Sequence, residues 1–273
     1  MNRIDQTFAA LKKQGRTGLI PFVTAGDPDA AWAVAILHAL VDAGADLIEL
    51  GVPFSDPMAD GPVIQKSSER ALARGMNLHG VIDIVLGFRS TNKHTPIVLM
   101  GYLNPIEYFG WERFAKMAAD AGVDGVLLVD CPPEEAEAVR PILQQYQLAQ
   151  IFLASPTTTR ARLDKMGALA QGYVYYVSFA GITGADRIAL DDVHQKITAA
   201  RKSIPTPLAI GFGIKGAEQA VALAPDAEAI VIGSALVERL AMAENAEEAC
   251  AVAAQFLAPI RAALDAASNA KAA

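Results

Sequence analysis

The stretch DLIELGVPFSDPMADGP (46–62) decides how this chain is read. It opens as a short apolar run, DLIELG (46–51), and passes straight into a loop with prolines at 53, 57 and 62. A run of that length, bounded by turn residues, reads as a buried strand. One residue does not fit. In an extended strand Leu47 and Glu49 face one side and Ile48 and Leu50 the other. Glu49 is therefore a carboxylate where a strand buried on both faces carries Leu or Val.

Seven further runs share the pattern: GLIPFVT (18–24), PIVLMGY (96–102), DGVLLVD (124–130), QIFLAS (150–155), YVYYVS (173–178), PLAIGFG (207–213) and AIVIGS (229–234). Amphipathic stretches alternate with them, at 29–43, 63–75, 110–121, 133–147, 158–169, 190–203 and 215–223, with a last helix over 246–267. Eight strands with crossover helices in this length match an α/β fold, the (β/α)8 TIM barrel, as a single domain over 1–273. An open doubly wound sheet would carry a GxGxxG turn after its first strand; this chain has TAGDP (24–28) there. The segment MNRIDQTFAALKKQGR (1–16) reads as an extra N-terminal helix, with Ile4, Phe8 and Leu11 on the face that covers the barrel floor. The tail SNAKAA (268–273) is expected to fray.

The formal charge is −7, and the 23 basic residues are scattered rather than gathered into a nucleic-acid-binding face. No uncharged apolar run reaches the ~18 residues of a membrane span, and the N-terminus lacks the apolar core of a signal peptide. The two cysteines, Cys131 and Cys250, are far apart and without metal-site spacing. A cytoplasmic chain is expected.

Two loops, 52–62 and 179–189, are longer than the barrel needs, and both follow strands, on the face where this fold places chemistry. Burial of Glu49 would raise its pKa towards neutrality, which suits an acid/base group; a structural Glu bonded to a neighbouring loop is the competing reading. Asp60 sits in the proline-stiffened loop with Asp56, and precedes a Gly-Pro helix start, so capping competes with chemistry there. Three Gly-rich turns, GITG (181–184), GFGI (211–214) and IGSA (232–235), follow the last three strands. Gly213, Gly233 and Ser234 fit the place where barrels hold a phosphate. No lysine lies in a strand, which argues against a Schiff-base aldolase. His38, His79, His94 and His194 lie in helices or at helix ends, and no cluster has metal-ligand spacing. Cys131 has no basic neighbour to activate it. What remains is a pair of acids and a phosphate site.

PFVTAGDP (21–28), IELGVPFSDPMADGP (48–62), NPI (104–106), GITGA (181–185), GFGI (211–214) and VIGSA (231–235) closely resemble the tryptophan synthase alpha subunit family, from about residue 4 to 265. The resemblance implies cleavage of indole-3-glycerol phosphate to indole and glyceraldehyde 3-phosphate, a lyase reaction of tryptophan biosynthesis. It implies that Glu49 is the acid/base group and that Asp60 faces the indole N–H. It places Phe22, Met100, Leu127 and Tyr175 around the indole, Gly184, Gly213, Gly233 and Ser234 around the phosphate, and Thr183 as the residue that orients Asp60. It further implies a beta-subunit partner in an alpha2beta2 tetramer, docked on Asp56, Asn104 and Pro105, with pyridoxal phosphate in the partner and no cofactor or metal in this chain. Position 179 departs from the family pattern, with Phe where Arg is expected. An indole-glycerol-phosphate synthase would need a strand lysine. A chain of weak intrinsic activity that mainly activates the beta subunit is the alternative reading.

Overall fold

The computed structural model describes residues 2–177, 187–211 and 213–272. Its strands are β1 (Gly18–Thr24), β2 (Ile48–Gly51), β3 (Ile97–Gly101), β4 (Gly125–Leu128), β5 (Ala149–Ala154), β6 (Val174–Val177), β7 (Leu208–Gly211) and β8 (Ala229–Ile232). Each pairs in parallel with the next, and β1 pairs with β8, so the sheet closes into a barrel with no edge. Several strands are shorter than the apolar runs because the ends do other work. Asp46 and Asp124, just before β2 and β4, turn their carboxylates onto the N–H groups of Leu19 and Ile97 in the preceding strands, both at 2.9 Å.

The helices are α1 (Arg3–Gln14), α2 (Ala33–Asp42), α3 (Pro62–Ala73), α4 (Leu78–Arg89), α5 (Leu103–Phe109), α6 (Trp111–Ala121), α7 (Pro133–Gln145), α8 (Arg160–Leu169), α9 (Arg187–Arg201), α10 (Ala217–Leu223), α11 (Ser234–Leu240) and α12 (Ala246–Ala272). Side chains alternate along each strand into two cores. The outward set packs under the helix ring. The inward set, with Ile20, Leu47, Val98, Leu127, Ile151, Tyr173, Tyr175 and Val231, fills the barrel. Ile4, Phe8 and Leu11 of α1 join the inward set and plug the floor.

Three elements differ from the sequence expectation. α4 was not expected, because Gly80 and Gly87 punctuate LHGVIDIVLGFR. In the fold these glycines answer close packing: an added Cβ would lie 2.8 Å from Met76 Sδ and 2.9 Å from Val34 Cγ2. Residues 104–106, which follow the third strand run and fall in no expected helix, belong to α5. Asp130 Oδ1, from beyond β4, accepts the first helical N–H of α5, Leu103 N, at 2.8 Å, a bond no local pattern announces. The last helix, expected over 246–267, does not end there: α12 continues to Ala272. By length and composition α12 could cross a membrane, yet Ala249, Ala253, Leu257, Ile260 and Leu264 recur at helical spacing and are buried where α12 meets α2, α10 and α11.

Candidate active site

Glu49 is in the middle of β2, opposite Phe22 of β1 and Val98 of β3. It is completely buried. The Tyr173 hydroxyl donates to Glu49 Oε1 at 2.5 Å, while Oε2 has no hydrogen-bond partner among the described residues. Burial pushes the carboxyl up to about 7, against the Tyr173 bond, which favours the charged form. Among the described residues the reading of Glu49 as a carboxylate tied to a neighbouring loop finds no support: its hydrogen-bond partner there is Tyr173, just before β6 and inside the barrel. A carboxyl with one oxygen held, the other free and a pKa near neutrality is poised to give and take a proton.

Asp60 approaches from the loop above. The turns Met58 N to Asp56 O and Asp60 N to Pro57 O shape that loop, and the Tyr102 hydroxyl, just past β3, donates to Asp60 Oδ2 at 3.0 Å while accepting from Ala59 N at 3.1 Å. Burial raises its pKa and the Tyr102 bond opposes the rise. Capping is excluded as its role: Gly61 is the N-cap of α3 and no side chain caps there. Asp60 lines a cleft at the barrel mouth with Phe22, Ile64, Ser68, Met100, Tyr102 and Val129. Glu49 lies below that cleft. Both acids act on Tyr175, whose hydroxyl pKa is raised by burial first and then by the negative charge of Glu49 and Asp60.

Leu127 and Tyr175 form the inner layer beneath the cleft. Three residues that the sequence reading did not single out complete the site: Tyr173, Tyr102 and Val129. A period-two reading of YVYYVS puts Tyr173 on the same face as Tyr175, so the signal was present. Tyr102 had none, because its side chain matters only once β2 and β3 lie side by side. Cys131 is pushed up to about 11, by burial and then by nearby acids, which leaves it an inert thiol. Of the histidines, His38 bonds Thr91 and His194 bonds Asp226, both away from the barrel mouth.

A model of the family described as "Tryptophan synthase alpha chain" matches residues 8–266. The tryptophan synthase alpha chains of Xylella fastidiosa (strain 9a5c) and Burkholderia ambifaria (strain MC40-6) are each 56% identical to this chain. They cover 97% and 98% of it, and it covers 99% of each of them. The solved structure of tryptophan synthase subunit alpha from Legionella pneumophila str. Paris superposes with a TM-score of 0.91 at 42% identity, covering 97% of this chain and 99% of that one.

The chain belongs to the tryptophan synthase alpha chain family.

The remaining positions expected of a tryptophan synthase alpha chain fall into three groups. Gly213 follows β7 with φ 75°, a left-handed backbone that glycine adopts without strain. Gly233 is the N-cap of α11 and Ser234 its first residue, so the Ser234 and Ala235 amides precede the first helical bond, Leu236 N to Gly233 O. Gly233 also abuts Phe22: an added Cβ would lie 3.5 Å from the Phe22 Cβ. This places the turn beside the cleft. Asp56 and Asn104 are exposed and Pro105 is half-buried, on α5 and the loop before α3. Thr183, Gly184 and Phe179 lie outside the described residues.

Proposed function

We propose that Glu49 and Asp60 divide the cleavage of indole-3-glycerol phosphate between them in this tryptophan synthase alpha chain. The observation that carries this reading is Glu49: fully buried, one oxygen bonded, the other free, and neutral to about pH 7. As the acid it gives its proton to C3 of the indole ring. That leaves a positive charge on the ring nitrogen, which Asp60 stabilises across the cleft. As the carboxylate Glu49 then takes the proton of the side-chain hydroxyl. The O–H electrons form the aldehyde C=O, the bond from C3 to the side chain breaks, and its electrons restore the neutral ring. The net movement is one proton from hydroxyl to C3. The ring is its own electron sink, so the reading assigns no cofactor and no metal to this chain.

Phe22, Met100, Leu127 and Tyr175 supply an apolar slot that excludes water from the charged intermediate. Gly213, Gly233 and Ser234 hold the phosphate, with backbone N–H groups and a hydroxyl as donors; by family resemblance Gly184 is assigned to the same end and Thr183 to the orientation of Asp60. Members of this family work with a beta chain. Its seat here is the face bearing Asp56, Asn104 and Pro105, where Met58 and Tyr108 are 79% and 94% exposed. An alpha2beta2 assembly, with pyridoxal phosphate in the beta chain and indole passed between the subunits in the cytoplasm, completes the reading.

Glu49→Gln tests it. Cleavage should fall by ~10²–10⁴-fold or more, while affinity for glycerol 3-phosphate stays unchanged because the cradle is untouched. Near-normal indole release from Glu49→Gln, with or without beta chain, would overturn the mechanism. If the unmodified chain releases indole only with beta chain present, it is mainly an activating subunit.

A further inference from the structure

Asp60 is held sideways by Tyr102, but its height above the barrel is set elsewhere. α3 begins two residues after it, and Gln65 Nε2 of α3 donates back to Asp60 O at 2.9 Å. Asp60 therefore moves with the first turns of α3. α3 is pinned to the end of β1 and the turn after it by two side-chain links. Arg70 Nε and Nη2 donate to both oxygens of Asp27, at 2.7 and 2.8 Å, and the Asp27 side chain is 2% exposed. One turn earlier, Thr24 Oγ1 and Ser67 Oγ are 2.6 Å apart and buried. Ser67 donates its only hydroxyl proton to Ile64 O at 2.8 Å, so Thr24 is the donor in that pair. Thr24 pairs in the sheet with Gly51, two residues beyond Glu49. The route from Asp60 to Glu49 thus runs through α3, Arg70 and Asp27, the end of β1, and β2.

We propose that Asp27 and Arg70 are a positioning pair for the reaction: their forked ion pair sets where Asp60 stands relative to Glu49. The inference rests on the assignment of Asp60 to the ring nitrogen. The fork matters more than the charge. Two parallel N–H···O bonds fix distance and orientation together, which an ammonium does not do. A shift of ~1 Å in a group that stabilises developing charge costs up to ~10²-fold in rate.

The test is Arg70→Gln and Arg70→Lys in the full chain, read as kcat and KM for indole-3-glycerol phosphate cleavage, with the thermal midpoint used to correct for the folded fraction. Arg70→Gln should lower kcat by roughly 10–100-fold with KM within about 2-fold, and Arg70→Lys should fall between it and the parent. Combined with Asp60→Glu, which keeps the carboxylate but displaces it, Arg70→Gln should cost much less than it does alone, because both changes act on the same group. A full kcat per folded molecule in Arg70→Gln, or losses that add independently of Asp60→Glu, would make the pair a plain structural staple and overturn the proposal. Should Arg70→Gln fail to fold, Arg70→Lys carries the same two readings. If Asp60→Glu alone leaves kcat unchanged, the role given to Asp60 fails first, and the proposal falls with it by a separate measurement.

Discussion

The hydroxyl of Tyr173 donates to Glu49 Oε1 at 2.5 Å inside the closed barrel, between residues 124 positions apart in the chain. Tyr173 is itself completely buried and rests on Phe8 of the floor helix, ring centroids 5.8 Å apart. Burial favours neutral Glu49 and this bond favours the charged form, and together they place the group at about 7. Tyr173→Phe removes the hydrogen bond that lowers it. A net hydrogen bond of about 1–1.5 kcal/mol is worth roughly one pH unit. The Glu49 limb of the kcat/KM profile should therefore move upward by about that much. An unmoved limb would show that another group governs the pH dependence.

The same carboxyl ties stability to pH. Its folded pKa lies above its ordinary value of 4.5, so between about 4.5 and 7 the folded chain keeps a proton that the unfolded chain has released. Stability contributed by Glu49 is full below that window and is lost as pH rises through it. The loss is roughly 3 kcal/mol. Glu49→Gln, which cannot ionise, should gain stability relative to the parent between pH 5 and pH 8. Denaturant titrations at both pH values check this; parallel behaviour of the two proteins would place the Glu49 pKa near its ordinary value.

Tyr102→Phe should loosen Asp60 without unfolding the loop. The change removes the donor to Asp60 Oδ2 and the acceptor for Ala59 N together. A fall in kcat of about 10-fold, equivalent to ~1.4 kcal/mol of lost positioning, is the expected outcome in steady-state indole release. Unchanged kcat would mean that Asp60 is held sufficiently by its backbone.

Ser234→Pro removes one hydroxyl and one N–H from the start of α11, at a helix position where proline is otherwise tolerated. Affinity for glycerol 3-phosphate should weaken by about 2–4 kcal/mol, the worth of one or two charge-assisted hydrogen bonds, with the thermal midpoint nearly unchanged. Equal affinity by calorimetry would move the phosphate elsewhere.

Asp124 is a heavily engaged acid of the barrel floor. It pairs with Arg89 at 2.9 Å, both side chains 7% exposed or less, meets Arg3 at 2.9 Å, and accepts Ile97 N. Asp124→Ala should cost about 3–5 kcal/mol, because Arg89 would be left buried and unpaired. The folded fraction should keep its kcat, since this network is at the opposite end of the barrel from the cleft. A loss below ~1 kcal/mol in chemical denaturation would reduce the network to surface pairs.

Barrel topology, the floor helix and both acids were legible in the chain because each is encoded locally. A buried parallel strand needs a short apolar run, an amphipathic helix needs its periodicity, and Glu49 stands out as a charge where both faces of a strand are apolar. The glycines of α4 misread as breaks, because the neighbours that require them, Met76 and Val34, act through space. α5 was missed because its first N–H is satisfied by Asp130 from the next unit.

By itself, then, the sequence determined the eight strands, most of the helices, their alternation into a barrel, and that Glu49 and Asp60 stand on β2 and in the loop that follows it. Only the tertiary structure decided what those acids can do. The pKa of Glu49 depends on how completely the barrel closes over it and on the hydroxyl of Tyr173, just before β6, reaching across. Asp60 was released from capping α3 because Gly61 took that place, and was turned towards the cleft by Tyr102. Propensity and periodicity act over a few residues, whereas desolvation and hydrogen-bond geometry are set by whatever the fold brings within ~3 Å.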